Sequence, residues 1–452
     1  MNFDFPLLVL VTLAALAVAV WGLLQPDGML RYPFLASTVY LGWFLPQAIG
    51  LSEEAWLPVG GYSILMFMAL LCLLGIYSAD KVRLRPGRAQ LWEYDERKLL
   101  LGSVGLTAFG TFFAFMISSL PPEMLSGAWT GVATIYLFMA KAQYFGFAVA
   151  FLLLLRSFSK LALLVAMFNM YFFLFAIFIG GRRGVALEIS LIILTALWFE
   201  RRIMLPRLMI IALAVIGSLL FNSIGQYRSL TYRGSKLGYG AGEWSIPSIN
   251  EIRSIDYIGT LESFAATGSN EVSNAIYYIS AVNNSSDFNF GGTYWNDLLF
   301  RYVPGQLLGI DFKQSLMLQL YDSTSPIFAY ERQIGTTYTG FFDSFSAFWY
   351  FGAFSFFLIG IIMRRLYERA MMDDFHGKLF YGLLIAVAMH AVTHSTSWFF
   401  VYLPQVFLFV LPVLWMARRR PIPGGGLLHR DQRRVPLDRE PGRGKVPPRF
   451  RP

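Results

Sequence analysis

Eleven apolar runs leave this chain little choice of fold: 5–24, 34–50, 57–77, 99–119, 139–155, 161–179, 184–199, 208–222, 341–362, 379–396 and 398–416. A helix rises about 1.5 Å per residue, and a bilayer's hydrocarbon core is about 30 Å thick. Most of the runs reach across it, and the shortest (139–155, 184–199 and 208–222) do so by extending into flanking residues. The pair meeting at 396–398 leaves almost no room for a turn, so one of those helices is expected to break. With 56% hydrophobic and 14% charged residues, the composition suits lipid rather than water. The expectation is an all-α polytopic membrane protein with about 11 transmembrane helices. Residues 1–222 supply helices one to eight, 341–416 helices nine to eleven, and 417–452 a basic tail. The remaining segment, 223–340, is far too long for a turn and is expected to form a partly helical cap.

Charge placement orients the bundle. The net charge of +9 raises the question of nucleic acid, but Lys and Arg sit in short clusters between apolar runs and in the tail. With the 78–98 loop (Lys81, Arg83, Arg85, Arg88, Arg97, Lys98) on the cytoplasmic side, 27 of the 37 Lys and Arg residues fall there. The positive-inside rule then puts the N-terminus and the long loop outside and the C-terminus inside. No Lys or Arg precedes the first run, which argues against a cleaved signal despite Ala17-Val18-Ala19. The tail, rich in Pro, Gly and Arg, has no means of building a core and is expected to be disordered, near anionic headgroups. The single cysteine, Cys72, excludes an intrachain disulfide and a cysteine metal site.

The outer loop is a structured surface by composition. It holds nineteen Phe, Tyr and Trp residues, whereas disordered segments are poor in aromatics. Stretches 249–264, 271–282 and 294–301 are amphipathic at helical spacing. The aromatics suit either the headgroup level or stacking against sugars. The outer cations are more pointed. Arg182 and Arg183 occupy a short hairpin between two runs, and Arg228, Arg233 and Lys236 follow the eighth. All five lie at the outer boundary, against the charge bias. Guanidinium forks pair well with phosphate, so a lipid-linked phosphate or pyrophosphate suits them; ordinary headgroup anchoring is the alternative. Glu188 lies within the seventh run, where an acid is costly; it is either functional or ion-paired with Arg182, Arg183 or Lys141. His390 and His394 share a helix face at i, i+4. They lack the intervening acid of H-E-x-x-H, which leaves hydrogen bonding in the bundle, or proton acceptance or phosphate contact in an outward cavity.

There is no G-x-x-x-x-G-K-[ST] nucleotide loop, no D-x-D and no G-x-S-x-G. The strings Phe178-Ile179-Gly180-Gly181-Arg182-Arg183-Gly184, Phe300-Arg301-Tyr302-Val303-Pro304-Gly305, Gly335-Thr336-Thr337-Tyr338-Thr339-Gly340 and Phe348-Trp349-Tyr350-Phe351-Gly352-Ala353-Phe354, with one large outer loop, resemble Wzy-type polymerases of O-antigen and exopolysaccharide repeat units. The likeness covers about 161–370 by pattern and the rest by topology.

That resemblance implies a GT-C-like glycosyltransferase of the bacterial inner membrane, with its cap in the periplasm. It would join undecaprenyl-pyrophosphate-linked oligosaccharides, as donor and acceptor, without metal or other cofactor. A chain-length regulator and a flippase of the same pathway are implied partners; nucleic acid is not. Arg183 corresponds to the family's hairpin Arg-Gly and Arg301 to the cation ahead of the loop's proline. Arg182 stands where the family has serine, so either arginine of the pair is a candidate. Preorganised cations would stabilise the leaving pyrophosphate: Arg182, Arg183, Arg228 and Arg301, with Arg233 and Lys236 supporting. Glu331, Asp256 or His394 would take the acceptor's proton. Trp295, Tyr302, Thr336, Thr337 and His390 would contact substrate. An O-antigen ligase shares this layout and differs in its acceptor. A polysaccharide transporter or a non-catalytic envelope assembly protein are the readings from other classes.

Overall fold

The computed structural model describes residues 4–52, 54, 56–82, 92–121, 132–222, 227, 230, 232–233, 243–244, 247–259, 262, 270–320, 324–332 and 336–419. The chain is an all-α, multi-pass membrane protein. Nine helical segments among the described residues are long and apolar enough to cross a bilayer. They are α1 (Asp4–Leu24), α2 (Tyr32–Leu51, with a π turn at Tyr40–Phe44), α3 (Gly61–Lys81), α4 (Glu96–Ser118), α5 (Val132–Arg156) and α6 (Lys160–Phe178), then Gly340–Met371, Phe375–Thr393 and Ser397–Ala417.

The other two expected spans are also helical but shorter. The first, α7 (Arg183–Ala196), runs on as a π turn, Leu197–Arg201; the second is α8 (Arg207–Asn222). With its π turn, α7 still joins both ends of the bundle. A Cβ on Gly184 would lie 3.9 Å from His390 Nε2, while Glu200 pairs with Lys378 at 3.0 Å, three turns away on the same neighbouring helix.

Contacts between linkers sort the chain into two ends. At the basic end, Arg31 meets Asp27 (2.8 Å) and Asp80 (3.4 Å), Arg156 meets Glu96 (3.6 Å), and Arg369 meets Asp374 (2.6 Å). There too the Asp95 N–H donates to the Ala417 carbonyl at 2.8 Å. Asp95 caps α4 by accepting from the N–H groups of Arg97 and Lys98, satisfying donors that a helix start leaves free. At the opposite end, Ser63 donates to Asp4 and the Tyr277 hydroxyl reaches the Trp56 carbonyl.

Small residues let the helices close up, as they do where no hydrophobic force acts between helices in lipid. A Cβ on Gly110 of α4 would sit 2.4 Å from the Gln143 nitrogen of α5. The helix Phe375–Thr393 is the axle of the bundle, with 89% of its apolar window buried.

The cap lies on the end away from the basic linkers. It comprises α9 (Ile249–Arg253), α10 (Asn270–Ser285), α11 (Gly292–Tyr302), α12 (Gly305–Leu308), α13 (Ile310–Leu316) and α14 (Thr324–Phe328). A two-residue antiparallel pair, β1 (Tyr232–Arg233) with β2 (Glu243–Trp244), sets Tyr232 opposite Trp244. The expected helices at 271–282 and 294–301 are present as α10 and α11. The 249–264 helix is interrupted after Arg253, where the Ser254 hydroxyl turns back onto the Glu251 carbonyl at 2.7 Å, a local bond that competes with helix; residues 257–259 and 262 are helical again, and 260, 261, 263 and 264 lie outside the described residues. The return to the membrane starts with α15 (Gly340–Phe348), capped by Thr339, and passes through a 3-10 turn, Trp349–Gly352, into α16 (Ala353–Met371). Then come α17 (Phe375–Thr393) and α18 (Ser397–Ala417). The expected disordered tail lies outside the described residues from 420 onward.

Candidate functional site

The cap and the bundle meet at a turn of three residues, His394, Ser395 and Thr396, between α17 and α18. The polar run that follows His394 is buried: Ser395, Thr396 and Ser397 are 6%, 0% and 0% exposed. Buried hydroxyls and N–H groups need partners; the Ser395 and Ser397 hydroxyls meet each other at 2.6 Å, and the remaining bonds run to α15 and to the cap. Thr396 donates to Asp343 Oδ2 of α15 through its N–H at 3.0 Å and its hydroxyl at 2.5 Å, and meets the Tyr294 hydroxyl of α11 at 2.6 Å. Ser397 donates to Asp297 Oδ2 of α11 at 2.5 Å. The next residue, Trp398, packs its ring 4.8 Å from His394 and 6.0 Å from His390, with the Arg301 guanidinium 5.9 Å from its centroid.

Helical spacing explains how one short helix supplies three of these partners. Tyr294, Asp297 and Arg301 stand at intervals of three and four on α11, hence on one face. Tyr302 follows, its hydroxyl donating to the Val401 carbonyl at 2.6 Å. The opposite face is tied down elsewhere: Trp295 Nε1 donates to the Leu316 carbonyl at 2.9 Å, and Asn296 exchanges two bonds with Leu318. Burial pushes the Asp297 carboxyl above its ordinary range, opposed by the Ser397 hydroxyl and the Arg301 charge. Burial also pushes the Tyr302 phenol up to about 12, again against Arg301.

The Arg182-Arg183 hairpin borders the same region. Gly181 takes φ +56°, where glycine is favoured, and the Arg182 N–H returns to the Ala176 carbonyl at 3.1 Å. Glu188, one turn into α7, is held by Lys141 at 3.0 Å, which is one of the ion pairs expected for it. Arg182 stands at one end of an apolar cavity of about 530 Å³ formed with Phe34, Leu187, Leu191, Leu213 and Met389. A second cavity, of about 290 Å³, opens under the cap with a mixed lining: Asp287, Asn289, Arg332 and Asp343 are set beside Leu320 and Phe342.

Of the residues singled out in the sequence, Arg301, Tyr302, His390 and His394 gather around Trp398 and the start of α18, with Arg182 and the Arg183 backbone on the adjoining hairpin. Arg228 and Lys236 lie outside the described residues, as do the side chains of Arg183 and Arg233. Trp295 is 47% exposed on the far face of α11. Thr336 and Thr337 serve the cap's own packing: Asn274 Nδ2 donates to the Thr336 hydroxyl at 3.0 Å and the Thr337 carbonyl at 2.9 Å. Glu331 is exposed beside Arg332. The residue missed is Asp343, 1% exposed. An acid in the run Phe341-Phe342-Asp343-Ser344-Phe345 marks a site in its own right, but its apolar neighbours read as the start of the ninth span. Among the described residues no group of three His, Cys, Asp or Glu side chains is placed to hold a metal ion.

Comparisons with family models, with curated proteins and with solved structures returned no match.

Proposed function

We propose that the protein is a Wzy-type polymerase of lipid-linked glycan repeat units, a GT-C-like enzyme working at the periplasmic face of a bacterial inner membrane. The observation that carries the reading is the meeting of Arg301, His390 and His394 at Trp398, beside an apolar cavity that ends at Arg182. A polyprenyl pyrophosphate has this form: a long apolar chain with a compact anion at the membrane boundary. In the transfer, the acceptor hydroxyl oxygen bonds to the donor's anomeric carbon. The bond from that carbon to the pyrophosphate oxygen breaks, and its electron pair leaves with the pyrophosphate. Arg301 and the Arg182-Arg183 hairpin stabilise the growing charge, an electrostatic effect among the largest available to an enzyme. His394, with Nδ1 2.6 Å from the Thr393 hydroxyl, takes the acceptor's proton.

Reconstitution with lipid-linked repeat units tests this. The intact protein is expected to give a polymer ladder. Arg301→Ala and Arg183→Ala are expected to insert and fold normally but lose at least about a hundredfold in rate, the scale seen when one preorganised donor is removed. Wild-type ladders from both variants would overturn the arginine assignment. Transfer only when lipid A core is added would make the protein an O-antigen ligase.

A further inference from the structure

The mixed polar and apolar cavity under the cap has no part in the pyrophosphate chemistry above. At about 290 Å³ it lies at the lower edge of small-molecule sites. One wall is aromatic: Tyr338 meets Phe342 edge-on at 4.9 Å, and the Arg332 guanidinium lies 5.2 Å from the Tyr338 centroid. Another is polar and fixed, since Asn289 bonds Ser346 through its N–H at 2.9 Å and its side-chain amide at 2.8 Å. The buried Asp343 completes the lining.

The Asp343 carboxyl takes three bonds from its turn, from the Thr396 N–H and hydroxyl and from the Ser395 hydroxyl. A carboxylate offers about four lone-pair sites on two oxygens, where asparagine has one oxygen, so it keeps acceptor capacity toward the cavity. A carboxylate in that place is a strong acceptor for further hydroxyl donors. The cavity also holds two acids, Asp287 and Asp343, against one cation, Arg332, which disfavours an anionic occupant. A pyranose ring matches all of this, with hydroxyls around its rim and apolar C–H faces for an aromatic wall.

We infer that this cavity is a glycan subsite, in which Asp343 accepts hydrogen bonds from the hydroxyls of one pyranose ring lying against the Tyr338–Phe342 wall. The inference rests on the reading of the protein as a glycan polymerase, but concerns a different site from the arginines.

Saturation-transfer NMR on the full chain in lipid nanodiscs tests it, with methyl pyranosides of a neutral hexose, an N-acetylhexosamine and a hexuronate as probes. A neutral or N-acetylated pyranoside is expected to receive saturation. Asp343→Asn is expected to weaken its binding roughly tenfold or more, the scale for losing a hydrogen bond to a charged group. Because Asp343→Asn also touches the Thr396 turn, Thr293→Met serves as a second variant, filling the cavity from α11 without contact to that turn. Arg301→Ala is expected to keep the signal. No transfer to any probe, transfer to the hexuronate alone, or full signal in both cavity variants would overturn the subsite. Failure of the arginine chemistry leaves the pyranoside signal intact, and failure of the subsite leaves Arg301-dependent polymer intact, so the two are separable.

Discussion

The Asp297 and Asp374 carboxyls are shifted in opposite directions from their ordinary value, and the difference is readable as stability. Burial raises Asp297 above its ordinary value of 3.8, and the Ser397 hydroxyl and Arg301 offset only part of that. Its folded form therefore favours the proton. The contribution is fully present below the unfolded value and is lost as pH rises through the higher folded one. Burial acts on Asp374 in the same direction, but the His376 and Arg369 contacts outweigh it and hold the carboxyl below 3.8. Its contribution is present above the unfolded value and lost as pH falls through the lower folded one. Thermal unfolding in detergent across the acid range tests both signs. Asp297→Asn is expected to remove a loss of stability that sets in as pH rises above about 4, and Asp374→Asn a loss that sets in below it. An unchanged pH profile in either variant rejects that residue's assignment.

Helices packed through glycine give a sharper contrast at the scale of elements. On α4, a Cβ at Gly110 would meet the backbone of α5 at 2.4 Å, whereas one at Gly105 would meet nothing within 4 Å. Gly110→Ala is expected to cost about 1–3 kcal/mol, the scale of overpacking a close contact. Gly105→Ala is expected to be neutral or to gain up to about 1 kcal/mol from helix propensity. Unfolding midpoints of the two variants decide it, and equal shifts would mean α4 and α5 do not meet where described. The elements were largely legible in the sequence because apolar length and helical spacing are local properties. Runs of about twenty apolar residues mark α1, α3 and α4 directly, and the amphipathic stretch 294–301 marks α11. The site was legible only in residue type. Arg301, His390 and His394 stand out as charge or imidazole in odd places, but nothing local says that residue 301 packs on residue 398. Asp343 was hidden for the opposite reason: its neighbours are apolar, and its partner Thr396 is 53 residues away.

The whole molecule has two unlike ends, and the arrangement assigns them to opposite sides of the membrane. Arg31, Arg156, Arg369 and Lys378 all find their acidic partners at one end. The cap and the Arg182-Arg183 hairpin lie at the other. Translocation retains short basic loops in the cytoplasm, so the cap should face outward, as the polymerase reading requires. The single cysteine makes the test clean. Cys72 is fully buried in α3, and Cys72→Ala removes the background. Phe290, 77% exposed in the cap, and Arg419, at the basic end beyond α18, are then replaced one at a time by cysteine. A membrane-impermeant maleimide added to intact spheroplasts is expected to label Phe290→Cys at once and Arg419→Cys only after the membrane is opened. The reverse pattern would turn the molecule over, putting the arginines and the cap cavity in the cytoplasm. The proposed polymerase, whose site faces outward, would then give way to a transfer on the cytoplasmic face.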